Sequence, residues 1–429
     1  MARKPAPAPS SSSIRRRNIG IAQTRPRPRT PPKYSKPPNR QVLINYPFPP
    51  ELFRNILEWI TDTEDLCNLS LTSRICRIEA ERVLYHSIEL AQNSTAPVLW
   101  ANTMLSCPHK AQRVRALTLK FDTSFLIVPE MLVSSLHVIS QALRKLNNLK
   151  NLILGGHSLA MMHPIYTWIL DDCPFSLDVF HNFVFPAPSI VPFLSRQPNI
   201  REWKQAGSHI GETLDESFLP QLAILDAHYS VLACFTTPRP LQHLRLKIRG
   251  YCAGERKRDV INSLSYFRDT LTSLSVEGVI GGPHPNSTHI IRSLAEKTPM
   301  LKLLSLNDFP FADPKVVQVD DDDCLLAVSQ FQQLECLVLS ELTRVLRLTK
   351  RRRIATAHRI FGQCPTLRFV VISGERHYLY KRHVDGITED ILEADDDDSN
   401  SLYAVHLHMA SLFVSHNATP HDTQHRTYG

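Results

Sequence analysis

The sequence predicts an α/β chain: a disordered N-terminal tail, a short all-α module, then a long array of strand–helix units. Three observations predict it. Residues 1–40 carry eight Arg, three Lys and nine of the 31 prolines with no acid. Residues 46–90 then show apolar positions at helical spacing. Beyond them, a run of apolar residues at i, i+3 and i+5 recurs ten times between residues 114 and 372.

The tail follows from composition. Such a segment buries too little apolar surface to offset its ordering entropy. Its +11 exceeds the +8 of the whole chain, so residues 41–429 sum to about −3 and the folded body is not basic. Pro5, Pro7 and Pro9 break the amphipathic helix that a mitochondrial transit peptide requires. Met1–Arg17 has no apolar core of a secretory signal, which places the chain in the nucleus and/or cytoplasm with its nine cysteines as thiols. No unbroken apolar run exceeds five residues, against the ~20 of a spanning helix, so no membrane partner is expected.

The helical module opens at Phe48-Pro49-Pro50-Glu51-Leu52, with proline suited to a helix start and Leu52, Phe53, Ile56, Leu57 and Ile60 at helical spacing. Thr61 with Glu64, or Thr63, supplies a cap for a second helix carrying Leu66, Leu69 and Leu71. Thr72 or Ser73 caps a third, with Ile75, Ile78 and Val83 inward. Three short helices are marginal alone, so the module needs a partner surface or a neighbouring domain.

These residues resemble the F-box: Phe48-Pro49-Pro50-Glu51-Leu52, Ile56-Leu57, Asp65-Leu66, Leu69, Leu71 and Arg74 follow its order and spacing. Phe48 replaces the usual opening Leu, and Ile75 stands where many F-boxes have Trp. The resemblance implies docking on the Skp adaptor of a cullin-RING ubiquitin ligase, through Pro49, Leu52, Ile56, Leu57, Leu66 and Leu69. A helical cap on the repeat array is the plainer account of the same periodicity.

The array, residues 91–394, has strand starts at 114, 149, 177, 200, 219, 241, 271, 301, 334 and 367, the weakest at 177, 200 and 219, separated by 19 to 35 residues. Leu132, Leu136, Ile139, Leu143 and Leu146 read as a helix between two of them, as do Val260, Ile261, Leu264 and Phe267, or Ile290, Ile291 and Leu294. Proline stops at Pro174, Pro198, Pro299 and Pro365 precede strands. The pattern resembles a degenerate leucine-rich repeat, whose Asn position is here Asp122, His157, Val279, Phe309 or Leu342. That resemblance implies a solenoid with a concave face for a protein partner, on which Lys120, Arg245, Lys247, Lys302 and Glu335 are candidate contacts, though each also reads as an ordinary solvated residue. Ten units exceed the eight of a barrel, and 14 glycines are few for a cofactor-binding doubly wound sheet.

Signatures for nucleophilic, zinc or phosphate chemistry are missing, so no enzyme, metal or cofactor is expected. No C-x-x-C occurs; His421 and His425 fall in a polar terminus, and His406 with His408 are assigned no site. Asp320–Asp323 and Glu393–Asp398 read as a helix start and a solvated loop, and sequons at Asn68, Asn93, Asn286 and Asn417 as chance. Residues 395–429 form a polar, partly flexible segment around an apolar island, Leu402–Val414.

The expected function is a non-catalytic substrate receptor: the module docks on the Skp adaptor and the solenoid holds an unknown protein target. The alternative is a repeat scaffold or nuclear nucleic-acid-associated protein, using the basic tail on polyanions; Arg15–Arg17 and Lys350–Arg353 also suit nuclear import or nucleic acid, against the plainer reading of a solvated tail and a solvated loop or helix face.

Overall fold

In the computed structural model the described residues are 49–90, 95–121, 129–156, 163–207, 213–248, 261–277, 287–307, 326–340, 349–373, 376–383 and 386–392. The basic tail, the Asn-position residues Asp122, His157, Val279, Phe309 and Leu342, the acidic runs, the C-terminal histidines, the apolar island and the sequons other than Asn68 lie outside them.

Three helices come first: α1 (Pro50–Glu58), α2 (Thr63–Thr72) and α3 (Arg74–Leu84). The cap of α2 is neither threonine expected from the sequence. Asp62 fills that place, its carboxylate accepting from the Glu64 N–H at 2.8 Å, because an Asx side chain one residue before the helix reaches the second free amide directly. Ser73 caps α3 and accepts from the Cys76 N–H. Leu57, Leu66 and Ala80 form the module's own small core, with Ile60, Leu69, Val83 and Leu84 packed on it. Arg82 ties α3 to Glu58 of α1, and Glu79 accepts from both Arg54 and Arg82.

Among the described residues a thirteen-stranded sheet follows, its strands in strict chain order from β1 to β13. They are β1 Ser87–Leu90, β2 Ala116–Phe121, β3 Asn151–Gly156, β4 Val179–Asn182, β5 Glu202–Gln205, β6 Ile224–His228, β7 His243–Lys247, β8 Ser273–Glu277, β9 Leu303–Asn307, β10 Cys336–Ser340, β11 Phe369–Ser373, β12 His377–His383 and β13 Gly386–Leu392. Every pairing from β1 to β11 is parallel, and β12 and β13 add antiparallel strands. Among the described strands the order never reverses, unlike that of a doubly wound sheet.

One backbone device repeats through the parallel region. The carbonyl just before each strand accepts two N–H groups of the next unit, in an unbroken series from His86 through Arg115, Lys150, Asp178, Arg201, Ala223, Gln242, Thr272, Lys302 and Glu335 to the amides of Arg368 and Phe369. This ladder fixes the register of each unit. It shows that β1 belongs to the series with Tyr85, Ile88 and Leu90 in the i, i+3 and i+5 places, within residues first assigned to the helical module. It also corrects the unit expected at 219: the inward triplet is Leu222, Leu225 and Ala227. Leu219 has a left-handed backbone, φ 47°, and sits in a turn, so it cannot open an extended run.

The i, i+3 and i+5 side chains face one continuous core. Leu136 and Ile139 of the helix Pro129–Leu143 join it, as do Ile190 and Phe193 of Ala187–Leu194, Ile291 and Leu294 of Ser287–Lys297, and Ile360 and Phe361 of Lys350–Gln363. Where the interval between strands is short, helices give way to aromatic packing. Trp203, Phe218, Phe235 and Phe267 form a chain of ring contacts with centroids 6.1 to 6.4 Å apart across three successive units.

Two adjacent units carry amides, Asn182 and Gln205, where the others have an apolar i+5 residue. Asn182 accepts from the Val184 and Phe185 N–H groups and donates to the Phe185 carbonyl and to Gln205 Oε1. Here a side chain satisfies the backbone of the turn after the strand. Asn182→Ala leaves those buried groups unpaired and is expected to cost about 2–4 kcal/mol, read from the urea midpoint; Asn182→Asp is no rescue because it removes the donor.

Candidate interaction surfaces

The structure divides the six predicted adaptor-binding residues. Pro49 is exposed, and Leu52 and Ile56 are 46% and 56% exposed. Leu57 and Leu66 are buried and Leu69 is half-buried against them, so these three pack in the module's own core. The physical reason is helical phase. Leu57 of α1 faces inward, as does Ile60 just past the helix, while Leu52 and Ile56, with Trp59 in the turn after α1, keep the phase one residue earlier and stay exposed.

Trp59, 87% exposed, is the residue that sequence reasoning missed. Leu71, 75% exposed, and Ile78 add to the module's apolar surface. A helix with a single inner face would carry polar residues on its second stripe. Trp59 falls between the positions of the F-box pattern; its signal is the i, i+4, i+7 relation to Leu52 and Ile56.

The module is held by polar contacts to residues 110–113, in the short helix Pro108–Ala111 and the turn before β2. Arg113 donates to the Ile78 carbonyl at 2.8 Å, Lys110 donates to Tyr85 Oη at 3.0 Å, and Glu81 lies within 4.0 Å of Lys110 and Arg113. It is thus a helical unit with a fixed seat and an apolar outer stripe.

The second surface is the sheet face opposite the helices. Register aligns His181, Lys204, Asp226 and Arg245 in one row across β4 to β7. Glu202 lies 2.8 Å from His181 and 2.9 Å from Lys204; Asp226 lies 2.8 Å from Lys247 and 3.5 Å from Arg245, which reaches Glu277 at 2.8 Å. Acids and bases alternate, and the cluster compensates itself. Of the five predicted contacts, Arg245 and Lys247 are engaged in this network and Lys120 pairs with Glu89. Lys302 and Glu335 stand just before β9 and β10, 3.8 Å apart, with Arg368 3.7 Å further along. The basic run Lys350–Arg353 forms the first turn of a helix, where Lys350 pairs with Glu389 and Arg353 lies 3.6 Å over the Tyr378 ring.

Burial raises the Glu202 carboxyl pKa, but hydrogen bonds from His181 and Lys204 outweigh it and hold the group at about 2, below its ordinary 4.5. A depressed folded-state value gives stability that is present above the unfolded pKa and lost as pH falls through the folded one. Wild-type stability is therefore expected to decline between about pH 4.5 and 2. Glu202→Gln should flatten that part of an acid-unfolding profile and leave its slope above pH 5 unchanged.

Among the described residues no helix is long and apolar enough to cross a membrane, and no group of three or more His, Cys, Asp or Glu is placed to hold a metal ion. Neither a protein-family model nor a curated protein sequence matches the chain.

Proposed function

We propose that this protein is a substrate receptor of a Skp–cullin–F-box ubiquitin ligase: α1 to α3 are an F-box that docks on the Skp adaptor, and the sheet is a degenerate leucine-rich-repeat solenoid that holds a protein target. The observation that carries this reading is the outer stripe of Leu52, Ile56 and Trp59 on a module that already has its own core. An apolar stripe with an aromatic anchor is the arrangement from which interface hot spots are made. A helix that only capped the array would turn its apolar residues toward the sheet. The sequential parallel order and the repeated carbonyl ladder support the solenoid half. Stacked units of this kind present an extended surface and need no catalytic group of their own.

Co-expression of the full chain with a Skp adaptor tests the reading. The expected result is a one-to-one complex whose affinity changes little between moderate and high salt, since it rests on apolar contact. Failure to form a complex would overturn the F-box assignment. Association that disappears with salt would point to polyanion-type binding through the basic tail.

A further inference from the structure

The two ends of the sheet differ. β1 has four residues, and α3 packs against it. β13 has seven, Gly386–Leu392, and among the described strands its one neighbour is β12. Its backbone is therefore half paired. The Arg382 N–H donates to the Arg368 carbonyl, so Arg382 turns toward β11, and the alternation of an antiparallel ladder turns Lys381 and His383 toward β13. Their register partners are Thr388 and Gly386. Gly386, Thr388 and Asp390 accordingly bond back to β12, while Ile387, Glu389 and Ile391 point their N–H and C=O groups outward.

Edges of this length are ordinarily guarded by proline, lysine or a bulge. β13 has neither proline nor lysine, and it matches β12 residue for residue from His377 opposite Leu392 to His383 opposite Gly386, with no bulge. Its two charges are drawn back into the sheet. Glu389 accepts from Tyr380 Oη at 2.9 Å and lies 3.2 Å from Lys350, and Asp390 lies 2.7 Å from Lys381.

We propose that β13 is a docking edge to which a partner protein adds an extended segment, apolar and basic at alternate positions, as a further strand. Backbone pairing supplies the affinity, and the side chains of the edge select the chemistry. Ile387 packs on the main core, and Ile391, 51% exposed, stands on the same face; a strand laid alongside meets them with every second residue. On the other face the half-exposed Asp390 is the one charge of β13, so a cation placed there finds an acid. A second copy of the chain fits less well. Full antiparallel overlap of two β13 strands centres on Glu389 and sets two like charges opposite each other. The edge lies at the other end of the strand order from β1 and the module, so the inference does not depend on the adaptor reading.

The test incubates the full chain with an excess of the synthetic peptide Val-Lys-Val-Lys-Val-Lys-Val, or of its counterpart with Glu for Lys, and reads hydrogen exchange by mass spectrometry. The lysine peptide is expected to slow exchange of Gly386–Leu392 by about tenfold or more, and the glutamate peptide to leave it unchanged. Ile391→Pro should abolish that protection at an unchanged unfolding midpoint, because the Ile391 N–H is turned away from β12. Asp390→Lys should reverse the preference in favour of the glutamate peptide. Absence of protection by the lysine peptide would overturn the proposal. So would binding that survives Ile391→Pro, which would place the peptide on the acidic run Glu393–Asp398. A wild-type dimer that Ile391→Pro converts to monomer would assign the edge to a second copy and overturn it equally.

Discussion

Replacing Leu52, Ile56 and Trp59 together by Glu is expected to abolish adaptor binding while leaving the unfolding midpoint of the chain nearly unchanged. All three side chains are exposed and none belongs to the module's core, so their loss removes little folding energy. In an interface they would be the desolvated anchors, where single truncations cost about 2 kcal/mol or more. The triple change should therefore weaken binding by at least about 100-fold. Trp59→Ala alone should account for much of that loss, because it offers the largest unpartnered area. Leu57→Ala and Leu66→Ala supply the opposite control: both side chains are buried, and each should destabilise the module by about 2–5 kcal/mol. Equal effects of inner and outer stripes would mean that α1 serves folding only.

Asp226→Ala is expected to be the most destabilising change on the open sheet face, by about 3–5 kcal/mol from the denaturant midpoint. Asp226 is only 4% exposed and is shared by Arg245 and Lys247. Removing it leaves two cations close together, one of them mostly buried, and takes away one of the acids that offset Arg245. Lys120→Ala gives the comparison. Its pair with Glu89 is solvent-exposed on both sides, so its loss should cost under about 1 kcal/mol. The contrast separates residues that build the face from those free to meet a partner.

The order of the fold was legible because the apolar triplets are local. Nine of the ten expected units fall on a strand at the expected register, since each i, i+3, i+5 run needs only its own residues to specify an inward face. The unit at 219 failed because Leu219 and Leu222 are both apolar leucines three residues apart, and only the pairing of Ala223 with Arg201 decides between them. Strand β1 was hidden by Tyr85 in the first apolar place. The turn-sealing role of Asn182 depends on Gln205 of the next unit, a contact between residues 23 apart in sequence.

The candidate docking site was half legible. Helical spacing marked Leu52, Ile56, Leu57 and Leu66 alike, and a periodicity of apolar residues does not say which stripe meets the neighbouring helices. That choice is made by the packing of α1 against α3, through Glu58 with Arg82 and Arg54 with Glu79. The charged row on the sheet was not legible at all, because His181, Lys204, Asp226 and Arg245 become neighbours only through strand register.

Amide hydrogen exchange of the full chain with and without a Skp adaptor tests the docking claim most directly. The account predicts new protection confined to α1 and to the neighbourhood of Leu71, with the strands and the basic tail unchanged. Protection on the open face of the sheet or in the tail, with none on α1, would contradict it.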